Sequence, residues 1–128
     1  MKLFDSSAII NVCRENKVDK LTNSCTLDLT FYELGNAVWK MAYVRKAMSI
    51  EEVVTVLDTL IEVYSRMKKL RNGNAQAAME IALREGLTFY DASYVRAALE
   101  NNLELVTDDE KLYRIASRYV KTFKSSEL

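Results

Sequence analysis

Short apolar segments that alternate with helical patterns are the feature that most constrains the fold of this chain. The segments typical of strands are residues 2–4, 25–29, 103–106 and 119–123. Between them, apolar residues recur mostly at steps of three and four, which indicates helices. Strands that alternate with helices form a parallel sheet covered on both faces. We therefore expect an α/β fold, a three-layer α/β/α sandwich with a central, mainly parallel sheet.

The helix boundaries follow from residues that begin or stop helices. Ser6 or Ser7 can form the N-cap of the first helix, and Ser49 can begin the third. The segment 72–74, Asn-Gly-Asn, is expected to end that third helix, and Gly86 to stop the next one. The other predicted helices are residues 31–46, 75–85, 91–100 and about 109–117.

Composition limits both the architecture and the chemistry. The 128 residues suit one domain over residues 1–128, and 18 basic residues balance 18 acidic ones. Histidine is absent, which excludes a histidine general base and a Ser-His-Asp triad. Cys13 and Cys25 are too few for a disulfide framework. No signal peptide or membrane-length apolar run is present, so we expect a soluble, cytoplasmic protein without a membrane partner.

Four acids, Asp5, Glu33, Asp91 and Asp109, stand where ligands bind in such folds. Asp5 follows the first predicted strand, Glu33 lies soon after the second, and Asp109 follows the third by a few residues. Ligands of parallel sheets bind beyond the carboxyl ends of the strands. Asp91 lies in the first turn of a helix and has no strand directly before it.

Helix capping is the competing interpretation of each acid. The pairs Thr30/Glu33, Thr88/Asp91 and Thr107/Glu110 all fit a capping box or its aspartate variant. The pair Ser49/Glu52 has the same spacing where no site is expected, and it serves as an internal control.

The four acids together favour a metal site. Two charges about 4 Å apart repel by on the order of 4 kcal/mol at an effective dielectric near 20. An N-cap contact stabilises the protein by only about 0.5–2 kcal/mol. A cluster of four would therefore need protons or a cation, and oxygen-only ligands favour Mg²⁺ or Mn²⁺. A metal that holds a phosphate can also activate water, which requires no histidine.

Four motifs in order resemble the acidic motifs of PIN-domain nucleases, in particular the toxins of VapBC toxin–antitoxin pairs. They are residues 3–10, 33–37, 90–94 and 105–112, and the resemblance covers essentially the whole chain. It implies a metal-dependent ribonuclease that cleaves RNA phosphodiester bonds, forms a homodimer and is inhibited by a small antitoxin protein. By position, Asp5, Glu33, Asp91 and Asp109 would hold the metal, with support from Ser7 and Thr107. Asp108 could share or replace the role of Asp109.

The second helix predicts two further surfaces. At about 100° per residue, Asn36, Lys40 and Val44 share the face of Glu33, so Asn36 and Lys40 could contact substrate phosphates. An ordinary solvated lysine is the alternative for Lys40. Tyr32, Trp39 and Tyr43 form a separate aromatic stripe, which suits a sister subunit or an antitoxin helix.

Two other functions remain open at this point. A non-catalytic PIN-like module would keep the fold and bind a protein partner through the aromatic stripe. A phosphorelay receiver is more distant, because it requires an acidic pair directly after the first strand, and this chain has only Asp5 there.

Overall fold

The computed structural model describes residues 1–46 and 48–128 and is built on a five-stranded parallel sheet. The strands are β1 (Lys2–Phe4), β2 (Cys25–Leu27), β3 (Lys68–Leu70), β4 (Glu104–Val106) and β5 (Thr122–Phe123). Their order across the sheet is β3-β2-β1-β4-β5, and every neighbouring pair is parallel. The carboxyl ends of all five strands therefore lie at one edge.

Helices cover both faces of the sheet, which confirms the expected three-layer sandwich. They are α1 (Ser6–Arg14), α2 (Leu29–Trp39), α3 (Ile50–Arg66), α4 (Ala75–Glu85), α5 (Phe89–Glu100) and α6 (Glu110–Ala116). Two core clusters fill the two interfaces between helices and sheet. Strand β1 contributes to both, since Leu3 packs in the cluster with α4, α5 and α6 and Phe4 in the cluster with α1, α2 and α3. No helix in the described ranges is both long and apolar enough to span a bilayer.

Strand β3 corrects the predicted end of the third helix. Helix α3 ends at Arg66 rather than at the Asn-Gly-Asn segment, and the edge strand β3 follows after Met67. Two of its three residues are lysines, so the strand has no apolar run in the sequence. Edge strands commonly carry lysine. The ammonium of Lys69 donates to the carbonyls of Tyr64 and Ser65, so it satisfies acceptors in the last turn of α3.

The predicted helix over residues 31–46 is a shorter α-helix followed by a π-helical turn. Helix α2 ends at Trp39, and Lys40–Val44 form the π turn. Because a π turn is wider than an α turn, the 100° spacing that placed Val44 on the face of Glu33 does not hold beyond Trp39. Within the turn, the rings of Trp39 and Tyr43 stack with centroids 5.4 Å apart.

Candidate metal centre

Strand pairing brings Asp5 and Thr107 together. Phe4 of β1 lies opposite Val106 of β4, and the backbone N–H of Asp5 donates to the carbonyl of Val106. The hydroxyl of Thr107 then donates to Oδ2 of Asp5 over 2.5 Å. A predicted supporting residue therefore contacts a predicted metal-site acid across 102 positions of sequence.

Asp5 is buried and heavily hydrogen-bonded. Its Oδ1 accepts from the hydroxyl of Ser7 at 2.7 Å and from the backbone N–H of Ala8 at 2.9 Å. The second contact makes Asp5 the N-cap of α1, in place of the serines expected there. Burial is the main cause that raises the pKa of Asp5 from 3.8 to about 7, with a smaller contribution from the charge of Glu33. The hydrogen bonds oppose that rise without cancelling it.

Glu33 is oriented by Tyr94 and not by a helix cap. The Tyr94 hydroxyl donates to Oε1 of Glu33 over 2.5 Å. The capping-box interpretation of Thr30 and Glu33 is wrong, because Asp28 occupies the N-cap position of α2. Burial raises the pKa of Glu33, and the charge of Asp91 raises it further, against the hydrogen bond from Tyr94.

A buried chain of hydroxyl groups connects Glu33 to the sheet. Thr26 donates to the carbonyl of Phe4 at 2.7 Å, Thr30 lies 2.8 Å from Thr26, and Tyr94 lies 2.6 Å from Thr30. With the contact to Glu33, four oxygen–oxygen contacts share three hydroxyl hydrogens. One contact lacks a hydrogen while Glu33 is ionised, and protonation of Glu33 would supply it. The shortage agrees with the direction of the Glu33 pKa shift.

Asp91 is placed by a cap that leaves its carboxylate open. Thr88 is the N-cap of α5, and its hydroxyl accepts from the backbone N–H of Asp91 at 3.1 Å. Within the described part of the chain, the Asp91 carboxylate forms no hydrogen bond with Thr88 or any other residue. Capping therefore accounts for the position of Thr88 but not for an acid at position 91. Burial raises the pKa of Asp91, followed by the charge of Asp109, while Lys111 lowers it.

The two adjacent acids after β4 have different surroundings. Asp109 is the N-cap of α6 and accepts from the N–H of Leu112 at 2.8 Å, so Thr107 does not cap this helix. Asp108 accepts from the side chain of Asn11 and from both the N–H and the hydroxyl of Ser125. Asp108 therefore ties the C-terminal segment to α1.

The internal control behaves as a capping box should. The Ser49 hydroxyl accepts from the N–H of Glu52 at 3.2 Å, and the Glu52 carboxylate accepts from the N–H of Ser49 at 3.3 Å. Glu52 is exposed at the start of α3. The same sequence spacing thus forms a true capping box at Ser49 and none at Thr30 or Thr107.

Charges within the set of four acids raise one another's pKa, but the four carboxylates do not form a closed cage. Over residues 1–46 and 48–128, no three acidic or thiol side chains are placed so that they could hold a metal ion. Asp5, Glu33 and Asp109 each accept a hydrogen bond from a donor outside the set of four acids. The donor set still fits a hard divalent cation, since every ligand atom is oxygen and the buried Asp5 carboxylate would gain from a neighbouring positive charge.

Asn36 and Lys40 are exposed on α2 and at the start of the π turn. Their proposed contacts with substrate phosphates stay predictions. Tyr94 and Thr30 were not selected as site residues from the sequence. The signal for Tyr94 was its spacing of three from Asp91, which places both side chains on adjoining faces of α5.

Comparison with known proteins adds family evidence to this geometry. The family model described as PIN domain matches residues 2–118. Exonuclease VapC9 of Pyrobaculum aerophilum is 38% identical over 86 residues, which are 67% of this chain and 62% of that protein. Ribonuclease VapC3 of the same organism is 33% identical over 99 residues, 77% of this chain and 75% of that protein. The chain in the crystal structure of PAE2754 from Pyrobaculum aerophilum is 30% identical in sequence and superposes with a TM-score of 0.84. The match covers 98% of this chain and 91% of the PAE2754 chain.

Proposed function

Since the chain belongs to the PIN domain family, we propose that it is a metal-dependent ribonuclease and the toxin of a toxin–antitoxin pair, acting on RNA in the cytoplasm. The observation that carries the proposal is the pairing of β1 with β4, which brings the buried Asp5 carboxylate within hydrogen-bond distance of Thr107 at the carboxyl ends of the strands. The charges of Glu33, Asp91 and Asp109 each raise the pKa of another of the four acids, which supports a shared site. Cleavage of single-stranded RNA by the purified protein with Mn²⁺, and its loss with a chelator, tests the proposal.

Asp5, Glu33, Asp91 and Asp109 would hold Mg²⁺ or Mn²⁺. When bound, such an ion lowers the pKa of water and offsets the charge of the scissile phosphate. Ser7 and Thr107 keep both oxygens of Asp5 in place through the contacts already described. Within the described part of the chain the Asp91 carboxylate accepts no hydrogen bond, so its oxygens are open to such an ion.

Replacing Tyr94 by phenylalanine is expected to lower RNA cleavage by about 10- to 100-fold, the usual loss for a group that orients a metal ligand. The substitution keeps the buried ring and removes the hydroxyl that holds Glu33. Cleavage rates measured against Mn²⁺ concentration should show a higher metal requirement for the variant. An unchanged metal requirement and rate would mean that the hydroxyl only packs the core.

We propose that the aromatic stripe binds an apolar helix of a small antitoxin. Tyr32 and Tyr43 are 74% and 70% exposed, and Trp39 is 49% exposed. Large aromatic side chains are frequent energetic centres of protein interfaces, and they are unusual on a free surface at this density. The resemblance to VapBC toxins also implies a homodimer, and a sister subunit is the alternative occupant of the stripe.

Replacing Trp39 by alanine is expected to raise the amount of antitoxin needed for inhibition by about tenfold or more. The measurement uses the proposed antitoxin, to be sought as a small protein encoded beside this chain, as the inhibitor of RNA cleavage. Leu83→Ala is the matched control, because Leu83 is 78% exposed on α4, outside the stripe. Equal inhibition of the two variants would contradict the assignment of the stripe.

A non-catalytic binding module is the second candidate, favoured by the absence of a ready three-carboxylate set among the described residues. It predicts intact RNA with every divalent metal, together with normal binding of the partner.

A further inference from the structure

A cavity of about 320 Å³ lies at the carboxyl ends of β2 and β3, within the size range of sites for small ligands. It is bordered by the segment that leads into α2, by the loop before α4 and by one face of α5. On α5, Phe89, Ser93 and Arg96 share the cavity face at spacings of four and three, while Asp91 and Tyr94 occupy another face. The same helix therefore borders both the cavity and the acids.

Arg96 is the polar centre of this cavity. It is only 6% exposed, and its Nη1 donates to Oε2 of Glu100 over 2.9 Å. No other hydrogen bond of its guanidinium is formed with the described residues. Among those residues, no unpaired side-chain nitrogen is sealed from solvent, so the remaining N–H groups of Arg96 are reachable, and the cavity that it lines gives them an opening.

A backbone contact holds Glu100, the ion-pair partner of this guanidinium. Glu100 also accepts from the N–H of Asn74 at 3.1 Å, which joins the start of α4 to the end of α5. Gly73 passes so close that an added Cβ would lie 2.1 Å from Oε2 of Glu100 and 2.2 Å from Nη1 of Arg96. A side chain at Gly73 would displace the ends of these two side chains and disturb the ion pair.

The other residues that line the cavity indicate which class of ligand it fits. Phe89 and Leu27 contribute apolar surface, and Tyr90 lies at the exposed rim. Asp28, also exposed, adds a carboxylate that would repel a phosphate group. An aromatic surface with one guanidinium and one carboxylate matches a flat ring that has hydrogen-bond acceptors on one edge and donors on another.

We propose that this cavity binds one unpaired guanine base of the RNA, next to the bond that is cleaved; the assignment rests on the proposed function. Arg96 donates to O6 and N7 of the base, the commonest specific contact of arginine with guanine. Asp28 accepts from the N1–H and N2–H groups. Phe89 or Tyr90 stacks on the ring, as aromatic side chains do on splayed single-stranded bases.

The test is a titration of the full chain with 5′-GMP in metal-free buffer with a chelator, followed by the amide NMR signals of Gly73, Ser93 and Arg96. Matched titrations use 5′-AMP, 5′-CMP and ribose 5-phosphate. We expect GMP to shift these signals and to bind at least about fivefold more tightly than CMP. Arg96→Met should remove the GMP shifts, and Asp28→Asn should reduce the preference for GMP. Arg84→Met, which removes an exposed charge from the last turn of α4, should change neither.

Phe89→Ala, a change at a partly exposed side chain, provides a second variant if Arg96→Met does not fold, and it should also weaken GMP binding. Equal shifts with ribose 5-phosphate would overturn the assignment in favour of a simple anion site, and so would the absence of GMP shifts in the wild-type chain. The titration contains no metal and no cleavage step. GMP binding without any RNA cleavage would therefore contradict the proposed function alone, and cleavage without GMP binding would contradict the pocket alone.

Discussion

Replacing Asp91 by asparagine is expected to lower metal-dependent RNA cleavage by at least about 100-fold while the fold is kept. Loss of a group that only orients a metal ligand costs about 10- to 100-fold, so loss of a ligand should cost at least the upper value. The fold should persist because the capping contact uses the backbone N–H of Asp91 and not its carboxylate. Initial rates with Mn²⁺, together with circular dichroism and thermal unfolding, measure both parts.

Glu52→Gln is the matched control for this experiment. It makes the same acid-to-amide change in the first turn of a helix, but Glu52 belongs to the exposed capping box of α3. Its cleavage rate should equal that of the wild type. A strong loss of activity in Glu52→Gln would make it unsuitable as a control. A fully active Asp91→Asn would contradict the assignment of Asp91 to the metal site.

Replacing Asp5 by asparagine is expected to stabilise the metal-free protein relative to the wild type, and to do so more at pH 8 than at pH 5. The folded-state pKa of Asp5 is raised from 3.8 to about 7, so the native state retains a proton that the unfolded chain releases. The contribution of Asp5 to the stability of the wild type is therefore greatest below about pH 4, falls as pH rises toward 7 and then levels off. The difference amounts to roughly 4 kcal/mol at most. Asparagine has no such charge, and it caps helices about as well as aspartate.

The measurement is urea unfolding of both proteins with a chelator at pH 5 and pH 8. The wild type should lose more free energy of unfolding between these pH values than Asp5→Asn does, since the titration of the other acids is common to both. If Asp5→Asn is less stable than the wild type at pH 8, the contacts with Ser7, Ala8 and Thr107 outweigh the cost of the buried charge. Capping would then be the main role of Asp5.

The sequence was sufficient for the architecture because burial on both faces leaves a clear apolar signature in β1, β2 and β4. It was insufficient for β3, where two lysines of an edge strand interrupt that signature. The π turn after Trp39 was also missed, since one turn of different pitch leaves no pattern in a window of apolar periodicity.

The candidate site was predictable to the level of residue type and strand end, but not to the level of contacts. Position after a strand selected Asp5 and Asp109 as candidates. The different surroundings of Asp108, which accepts hydrogen bonds from Ser125, are visible only in the structure. The contact of Tyr94 with Thr30 joins residues 64 positions apart, and no local spacing encodes it. Capping-box spacing is ambiguous too, because it places two residues in the same helical turn but does not determine which donor the carboxylate accepts from.

Binding of Mn²⁺ to the purified chain, followed by the loss of its free-ion electron paramagnetic resonance signal, tests most directly whether the four acids act as one metal site. We expect the wild type to bind Mn²⁺, and Asp5→Asn, Glu33→Gln, Asp91→Asn and Asp109→Asn each to weaken binding by at least about tenfold, with Glu52→Gln unchanged. Wild-type affinity in all four variants, or RNA cleavage by a chain that binds no divalent ion, would contradict a shared metal site.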